Sequence, residues 1–208
     1  MKYQIDDSYR DDIPSAVLYR QTMDHYPKSA IGCFIISDAW DEEALIELKE
    51  KSEAWFLVGL QIDDSEFKRL DIIEGVIRCQ PNEVDKVIRV LDVNSASTII
   101  GIDVVDIKSL FEYGNSFQFI QASAPGESIS KSVKAAAQQL VSQLIKARNA
   151  KRLLVTIESI ESPSLDTLSY ITEAIKNSLS INDEFIYYSS RITDEPDCFC
   201  LKAMYVEG

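Results

Sequence analysis

Apolar and polar positions follow one another in blocks, and from residue 30 onward these blocks predict strands and helices in turn. Residues 31–36 and 55–60 are continuous apolar runs, which is typical of strands buried on both faces. Between them, residues 37–53 combine an acidic start with an apolar stripe at helical spacing. A strand, a helix and a strand in this order predict a βαβ unit with parallel strands.

The same pattern continues to the last residues of the chain. It predicts a strand at 71–79 and a helix at 83–91, followed by a small polar stretch at 94–98. Beyond Gly114 it predicts, in order, a strand (117–124), a helix (129–147), a strand (153–157), a helix from Ser162-Pro163 to 179, and strands at 185–193 and 198–206. We expect the last two strands to pair as an antiparallel hairpin, because only the short segment 194–197 joins them.

These elements predict an α/β protein in three parts. Residues 1–28 are interpreted as an acidic polar arm or as a short helix near 14–24, and residues 29–98 as a short part with parallel βαβ topology. Residues 99–208 read as a β-α-β-α-β-β domain, a mixed four-stranded sheet with two helices on one face. The boundary is placed at 94–98, where small polar residues interrupt the pattern.

The charge balance narrows the choice of partners. The chain has 208 residues, with 21 basic and 34 acidic side chains and a net charge of -13, and the basic residues form no stripe. Duplex nucleic acid and anionic membrane surfaces would be repelled, so neither is expected as a partner. The polar N-terminal residues and the lack of a long apolar run predict a cytoplasmic protein.

Cysteine and glycine usage disfavours bound metals and phosphates. Cys33 and Cys79 lie in apolar runs, whereas Cys198 and Cys200 share one face of a predicted strand without further ligands nearby, so we expect no metal site. The seven glycines are scattered, and no group of them could form a phosphate-binding loop. No cofactor is therefore predicted.

Residues 102–111 read IDVVDIKSLF, in which two spaced aspartates lead into a short predicted helix. Over residues 100–208 the second half resembles the C-terminal domain of FtsZ, a bacterial tubulin relative, and residues 102–111 look like the loop after that family's central helix, although Gly101 replaces the family's asparagine. Residues 114–127, 151–157, 165–175 and 199–206 continue the resemblance in order. In the first half, residues 55–62 and Pro81-Asn82-Glu83 are more weakly similar to the family's strand and "IPN" turn.

The resemblance stops at the family's nucleotide site. Residues 37–43 stand where the family has its GGGTGTG phosphate loop, but here they read SDAWDEE, with no glycine and four carboxylates. Phosphate binding needs bare backbone N–H groups, and these carboxylates would repel a triphosphate. They could instead ligate magnesium, or simply form an acid-rich helix start. We therefore expect the usual GTP site to be lost, and favour a protein that is not an enzyme.

Asp103 and Asp106 are the candidate catalytic residues that the resemblance implies. In the family, the two loop aspartates reach the GTP of the neighbouring subunit and help to position the attacking water. From the residues alone, we favour the interpretation that Asp106 caps a short helix at 107–111, because aspartate is a preferred cap residue. Three further carboxylates, Glu158, Glu161 and Asp166, flank a predicted turn and are interpreted as solvated.

Three functions follow from these features. The leading hypothesis is an FtsZ-like structural or interaction module without the GTP site, in cell division or self-assembly, which forms a dimer or binds another FtsZ-like protein. The first alternative is a small-molecule-binding protein or enzyme that uses the cleft between the two halves. The second is an atypical GTPase that completes its site across a dimer through Asp103 and Asp106.

Overall fold

The protein folds around one sheet of nine strands with helices on both faces. The computed structural model describes residues 13–36, 40–64, 70–125, 129–146, 152–179, 186–194 and 198–206, except for the side chains of Ile129 and Cys198. The strands are β1 Ala16–Tyr19, β2 Ile31–Ile35, β3 Phe56–Gln61, β4 Ile73–Arg78, β5 Thr98–Ile100, β6 Ser116–Pro125, β7 Leu153–Ser159, β8 Ile186–Ile192 and β9 Cys198–Val206. The helices are α1 Glu42–Ser52, α2 Val84–Leu91, α3 Val104–Glu112, α4 Ile129–Lys146 and α5 Leu165–Leu179.

The strand order is β1-β2-β3-β4-β6-β9-β7-β8-β5. Strands β1 to β4 are parallel, and β4 pairs with β6 in parallel, so the sheet runs without a break from the first part of the chain to the second. The predicted α/β class and the parallel β2-α1-β3 unit are confirmed. One sheet joins the two larger parts. The division into residues 1–28, 29–98 and 99–208 remains a prediction.

Alternate residues along the strands send their side chains into two separate cores. On one face, Phe117, Phe119 and Met204 pack with α2 and α3. On the other face, side chains of β6, β7 and β9 pack against α4 and α5, as predicted for the second part. Helix α1 covers β2 and β3 on this same face, so the molecule has three layers.

The predicted hairpin of the last two strands is wrong. Strand β9 lies between β6 and β7 and is antiparallel to both, while β8 pairs with the far side of β7. Residues 201–206 are buried throughout, and a strand buried on both faces in the middle of a sheet needs a partner on each side. Local spacing indicated the direction of β8 and β9 but not which strands they pair with.

Three local predictions also need correction. The segment predicted as a helix near 14–24 contains β1, because pairing with β2 overrides the weak local pattern. Helix α5 begins at Leu165, with the Ser164 hydroxyl accepting a hydrogen bond from the Thr167 N–H at 3.2 Å, rather than after Ser162. Strand β5, which the sequence did not predict, borders the proposed boundary and pairs with β8 at the end of the sheet.

The sheet curls around the last turn of α2. The N–H of Ser15, just before β1, donates to the Asp92 carboxylate at 2.9 Å. The guanidinium of Arg191 in β8 donates to the carbonyl of Arg89 in α2 and to the Ser97 hydroxyl. Since β1 and β8 lie near opposite ends of the strand order, α2 joins distant parts of the sheet.

Candidate functional site

A group of polar side chains lies beneath α2, on the face of the sheet that otherwise carries an apolar core. We call it the polar layer; its members are Thr156 and Glu158 of β7, Ser189 and Arg191 of β8, and Lys202 of β9. The strand registers place Thr156 opposite both Ser189 and Lys202, and Glu158 opposite Arg191. All five side chains are buried, and polar groups removed from water need partners.

The layer contains an ion pair that solvent does not reach. Lys202 Nζ lies 2.5 Å from Glu158 Oε2, and the two side chains are only 4% and 6% exposed. The second carboxylate oxygen, Glu158 Oε1, is buried and has no hydrogen-bond partner among the described residues. Glu158 was interpreted from the sequence as a solvated carboxylate, and that interpretation is wrong. Glu161 and Asp166 are exposed, as predicted.

A small cavity separates the polar layer from α2. The cavity is lined by Thr156 and Ser189, whose hydroxyl groups form a hydrogen bond of 2.8 Å, and by Asp92 and Arg191. Its volume is about 10 Å³, which is the room needed for about one water molecule. Although polar groups converge here between the two halves, this space cannot hold a metabolite.

Arg191 connects the polar layer to α2 electrostatically as well as by hydrogen bonds. Burial lowers the pKa of its guanidinium, and the nearby carboxylates of Asp92 and Glu158 oppose that shift. A guanidinium stays protonated in proteins despite such shifts. The arrangement therefore places a permanent positive charge between carboxylates from two parts of the chain.

The start of α1 is occupied by the chain's own side chains. The Asp41 carboxylate accepts a hydrogen bond from the N–H of Ala44 at 2.8 Å and caps the helix. Trp40 is buried, with its ring 5.5 Å from that of Phe34. Glu42 and Glu43 are exposed in the first turn. Asp38, the remaining predicted carboxylate of this turn, lies outside the described residues.

Asp103 and Asp106 form a reciprocal cap at the start of α3. Asp103 Oδ1 accepts from the N–H of Val105 at 3.2 Å, and Asp106 Oδ2 accepts from the N–H of Asp103 at 3.0 Å. The residue that caps the helix is thus Asp103, and Asp106 lies within the helix, which begins at Val104. Their action across a subunit interface stays a prediction.

Two of the cysteines lie in the apolar core. Cys33 and Cys79 are buried, as predicted, and burial raises the pKa of both thiols, that of Cys79 to about 11. Within the described ranges, no three His, Cys, Asp or Glu side chains converge as a metal site. In the same part of the chain, no helix is long and apolar enough to cross a membrane.

Comparison with known proteins finds similarity in structure alone. No protein-family model and no curated protein sequence matches this chain. A point mutant of FtsZ from M. jannaschii superposes with a TM-score of 0.51 at 15% identity, over 85% of this chain and 56% of the FtsZ chain. CetZ1 from Haloferax volcanii, in a GDP-bound monomer, gives 0.53 at 9% identity, over 86% of this chain and 65% of its own.

A third structure, described as an empty FtsZ dimer from M. jannaschii, gives a TM-score of 0.50 at 12% identity over 85% of this chain. This chain spans between 54% and 65% of the length of these three structures. The fold is therefore FtsZ/tubulin-like, which confirms the resemblance drawn from residues 100–208 at the level of the fold.

Sequence reasoning missed the polar layer. Its signal was present as a lysine within the apolar run 201–206 and a glutamate that continues the apolar run 153–157. Two opposite charges in two otherwise apolar strands favour a buried ion pair, provided that the strands are neighbours. The incorrect hairpin separated β9 from β7 and concealed this contact.

Proposed function

We propose that this chain is an FtsZ-like protein without the family's GTP site that acts as a structural or interaction module. Its proposed partners are a second copy of itself or another FtsZ-like protein. The observation that carries this proposal is the start of α1, where the Asp41 carboxylate takes up an N–H group and Glu42 and Glu43 add negative charge. In the family that this chain resembles, the corresponding turn binds phosphate.

The electrostatics of that turn argue against a triphosphate. A phosphate group at a helix N-terminus is stabilised by free N–H groups and by the positive end of the helix dipole. In this chain three carboxylates already neutralise that end, and Trp40 packs against Phe34 beside it. An incoming triphosphate would have to displace the Asp41 cap and approach two further negative charges.

Self-association is proposed from the fold. One of the similar structures is described as an FtsZ dimer, and a chain with no nucleotide of its own can still contribute a surface to such an assembly. The role of Asp103 and Asp106 would then be structural, since both carboxylates cap α3. Cell division is proposed as the cellular process only because the fold is similar to that of FtsZ.

A direct binding measurement tests the loss of the GTP site. Isothermal titration with GTP and Mg²⁺, carried to about 1 mM nucleotide, should show no heat of binding. Micromolar affinity would overturn the proposal. The matched control is an FtsZ with a GGGTGTG loop, titrated under the same conditions, which must bind for the negative result to count.

The atypical-GTPase alternative makes the opposite prediction at Asp106. If GTP were hydrolysed across a dimer, Asp106→Ala would abolish phosphate release while leaving the circular dichroism spectrum intact. On our proposal there is no turnover for the substitution to abolish. Phosphate release by the unmodified protein, lost in Asp106→Ala, would therefore favour the alternative.

A further inference from the structure

Several large aliphatic side chains are exposed around β5, the last strand of the sheet. We call this region the β5 surface. It comprises Ile99 (42% exposed), Ile100 (36%), Ile160 (48%), Leu165 (81%) and Ile192 (44%). Single exposed apolar residues are ordinary, whereas a group at one place on the surface indicates an interaction site.

Backbone hydrogen bonds connect the chain segments that contain these residues. The N–H of Ile192 donates to the carbonyl of Ser97 at 2.9 Å, and the N–H of Thr193 donates to the carbonyl of Ser159 at 3.0 Å. Ile160 follows Ser159, which is also the register partner of Ile192. The three segments 97–100, 159–165 and 192–193 therefore meet at one corner of the sheet.

The side chains also share a direction. Ile100 is the register partner of Ser190, and Ile192 lies two positions from Ser190 in β8, so Ile100 and Ile192 point to the same face. That face carries α5, whose first residue is Leu165. An apolar strip thus extends from the edge strand across β8 to the start of α5.

The outer side of β5 has no strand partner within the ranges that the structure describes. Strand β5 ends the strand order, and β8 is its one partner among the described strands. Exposed edges recruit further strands unless they are protected by charged residues, proline or a covering segment. The strand itself, Thr98-Ile99-Ile100, has neither charge nor proline; it is three residues long, and its register with β8 shifts between Thr98 and Ile100.

The exposed charged side chains in the segments that form this surface are all acidic. Glu161, Asp166 and Asp194 are exposed, and each follows an apolar member of the β5 surface by one or two positions. Segments 97–102, 159–166 and 192–194 contain no lysine or arginine. Pairing this surface with a second copy would bring both sets of carboxylates together on molecules that each carry a net charge of -13. A cationic partner has the complementary charge.

We infer that the β5 surface binds an extended, basic segment of another protein, which adds a strand to β5. Main-chain hydrogen bonds would supply the alignment. Alternate aliphatic side chains of the segment would cover Ile100, Ile192 and Leu165, and its Lys or Arg residues would face the carboxylates. This inference rests on the interaction role proposed above, and it adds the surface and the chemistry of the partner.

A synthetic peptide tests the inference. The probe is a capped peptide of alternating valine and lysine, and the measurement is its affinity together with amide chemical-shift changes in the full chain. We expect saturable binding that weakens as salt is raised, with the largest shifts in β5 and at the end of β8. Two control peptides should bind at least about tenfold more weakly, a difference of about 1.4 kcal/mol. One is N-methylated at alternate amides, and the other carries glutamate in place of lysine.

Exposed substitutions locate the binding site without endangering the fold. Leu165→Ser with Ile192→Ser, and separately Glu161→Lys with Asp194→Lys, should each weaken peptide binding at least about tenfold. The matched controls are Ile145→Ser in α4, where the residue is 53% exposed, and Glu50→Lys in α1, and both should bind as the unmodified protein does. Thermal unfolding of every variant shows whether it is folded.

Three results would overturn the inference: no binding of the valine–lysine peptide, equal binding of either control peptide, or a self-dimer that Leu165→Ser with Ile192→Ser dissociates. GTP titration of the same samples separates this outcome from the failure of the proposed function. A protein that binds both GTP and the peptide loses only the proposed function. A protein that binds neither loses only the β5 inference.

Discussion

At the scale of single residues, the question is how much the buried Glu158–Lys202 ion pair contributes to the stability of the fold. Two charges removed from water lose hydration, and their mutual attraction offsets this loss only with good geometry and further hydrogen bonds. Here the pair is close, but Glu158 Oε1 has no partner among the described residues. We therefore interpret the pair as holding β7 and β9 beside each other rather than as a large net source of stability.

Removing one partner of this pair should cost far more than removing both. Lys202→Met leaves the Glu158 carboxylate buried without its countercharge, and we expect a loss of about 3–5 kcal/mol in the free energy of unfolding. The double variant Lys202→Met with Glu158→Leu should recover most of that loss. Urea unfolding of both single variants and the double variant measures the coupling; additive losses would contradict our interpretation.

The cap at α3 gives a second prediction at this scale. Asp103→Ala removes the acceptor for the Val105 N–H, so stability should fall by about 0.5–2 kcal/mol. Asp103→Asn, which keeps an oxygen in the same place, should stay near the unmodified protein. Thermal unfolding compares the two. An equal loss in both would show that the negative charge, rather than the capping hydrogen bond, matters at this position.

At the scale of elements, α3 approaches β4 closely because residue 75 has no side chain. A Cβ placed on Gly75 would collide with the Phe111 ring, including a contact of 2.7 Å with Cε1. The ring also packs edge-on against Phe117, with centroids 4.5 Å apart, which restricts its freedom to move away. The glycine is needed here for space, since no described glycine has a positive φ.

Gly75→Ala should therefore destabilise the protein by about 1–3 kcal/mol, the usual range for overpacking a core. A smaller residue opposite, in Gly75→Ala with Phe111→Leu, should cost less than the sum of the two single changes. Chemical unfolding of the three variants tests this packing. If the losses simply add, residue 75 and the Phe111 ring are not in contact.

The sequence was sufficient for most elements but not for all of their partners. Strands β2, β3 and β7 are long apolar runs and could be recognised without neighbours. Strand β5 has three residues and depends on pairing with β8, about ninety positions away in the chain, so no local pattern indicates it. The β8–β9 error has the same cause, because spacing specifies direction and not which strand lies alongside.

The candidate sites also differ in whether their residues are close together or far apart in the sequence. The Asp103–Asp106 cap and the acidic start of α1 depend on residues a few positions apart, so the sequence indicated both, although it assigned the α3 cap to the wrong aspartate. The Glu158–Lys202 pair joins residues 44 positions apart in sequence. It could be predicted only once β9 had been placed beside β7.

At the scale of the whole molecule, net charge should govern self-association. Each chain carries -13, so two copies repel one another at low ionic strength. Raising salt from about 0.05 M to about 0.5 M screens that repulsion. We expect the proposed self-dimer to tighten over this range, as measured by analytical ultracentrifugation. A dimer that weakens with salt would instead be held together by pairs of opposite charges.

The central position of β9 affects how the protein is made. A ribosome produces β6, α4, β7, α5 and β8 before β9 emerges, yet β6 and β7 pair only through that later strand. Until β9 is made, β6 and β7 each have one unpaired edge, and unpaired strand edges promote aggregation. Nascent chains that stop before residue 198 should need chaperones, and release of β9 should be the event that completes the sheet.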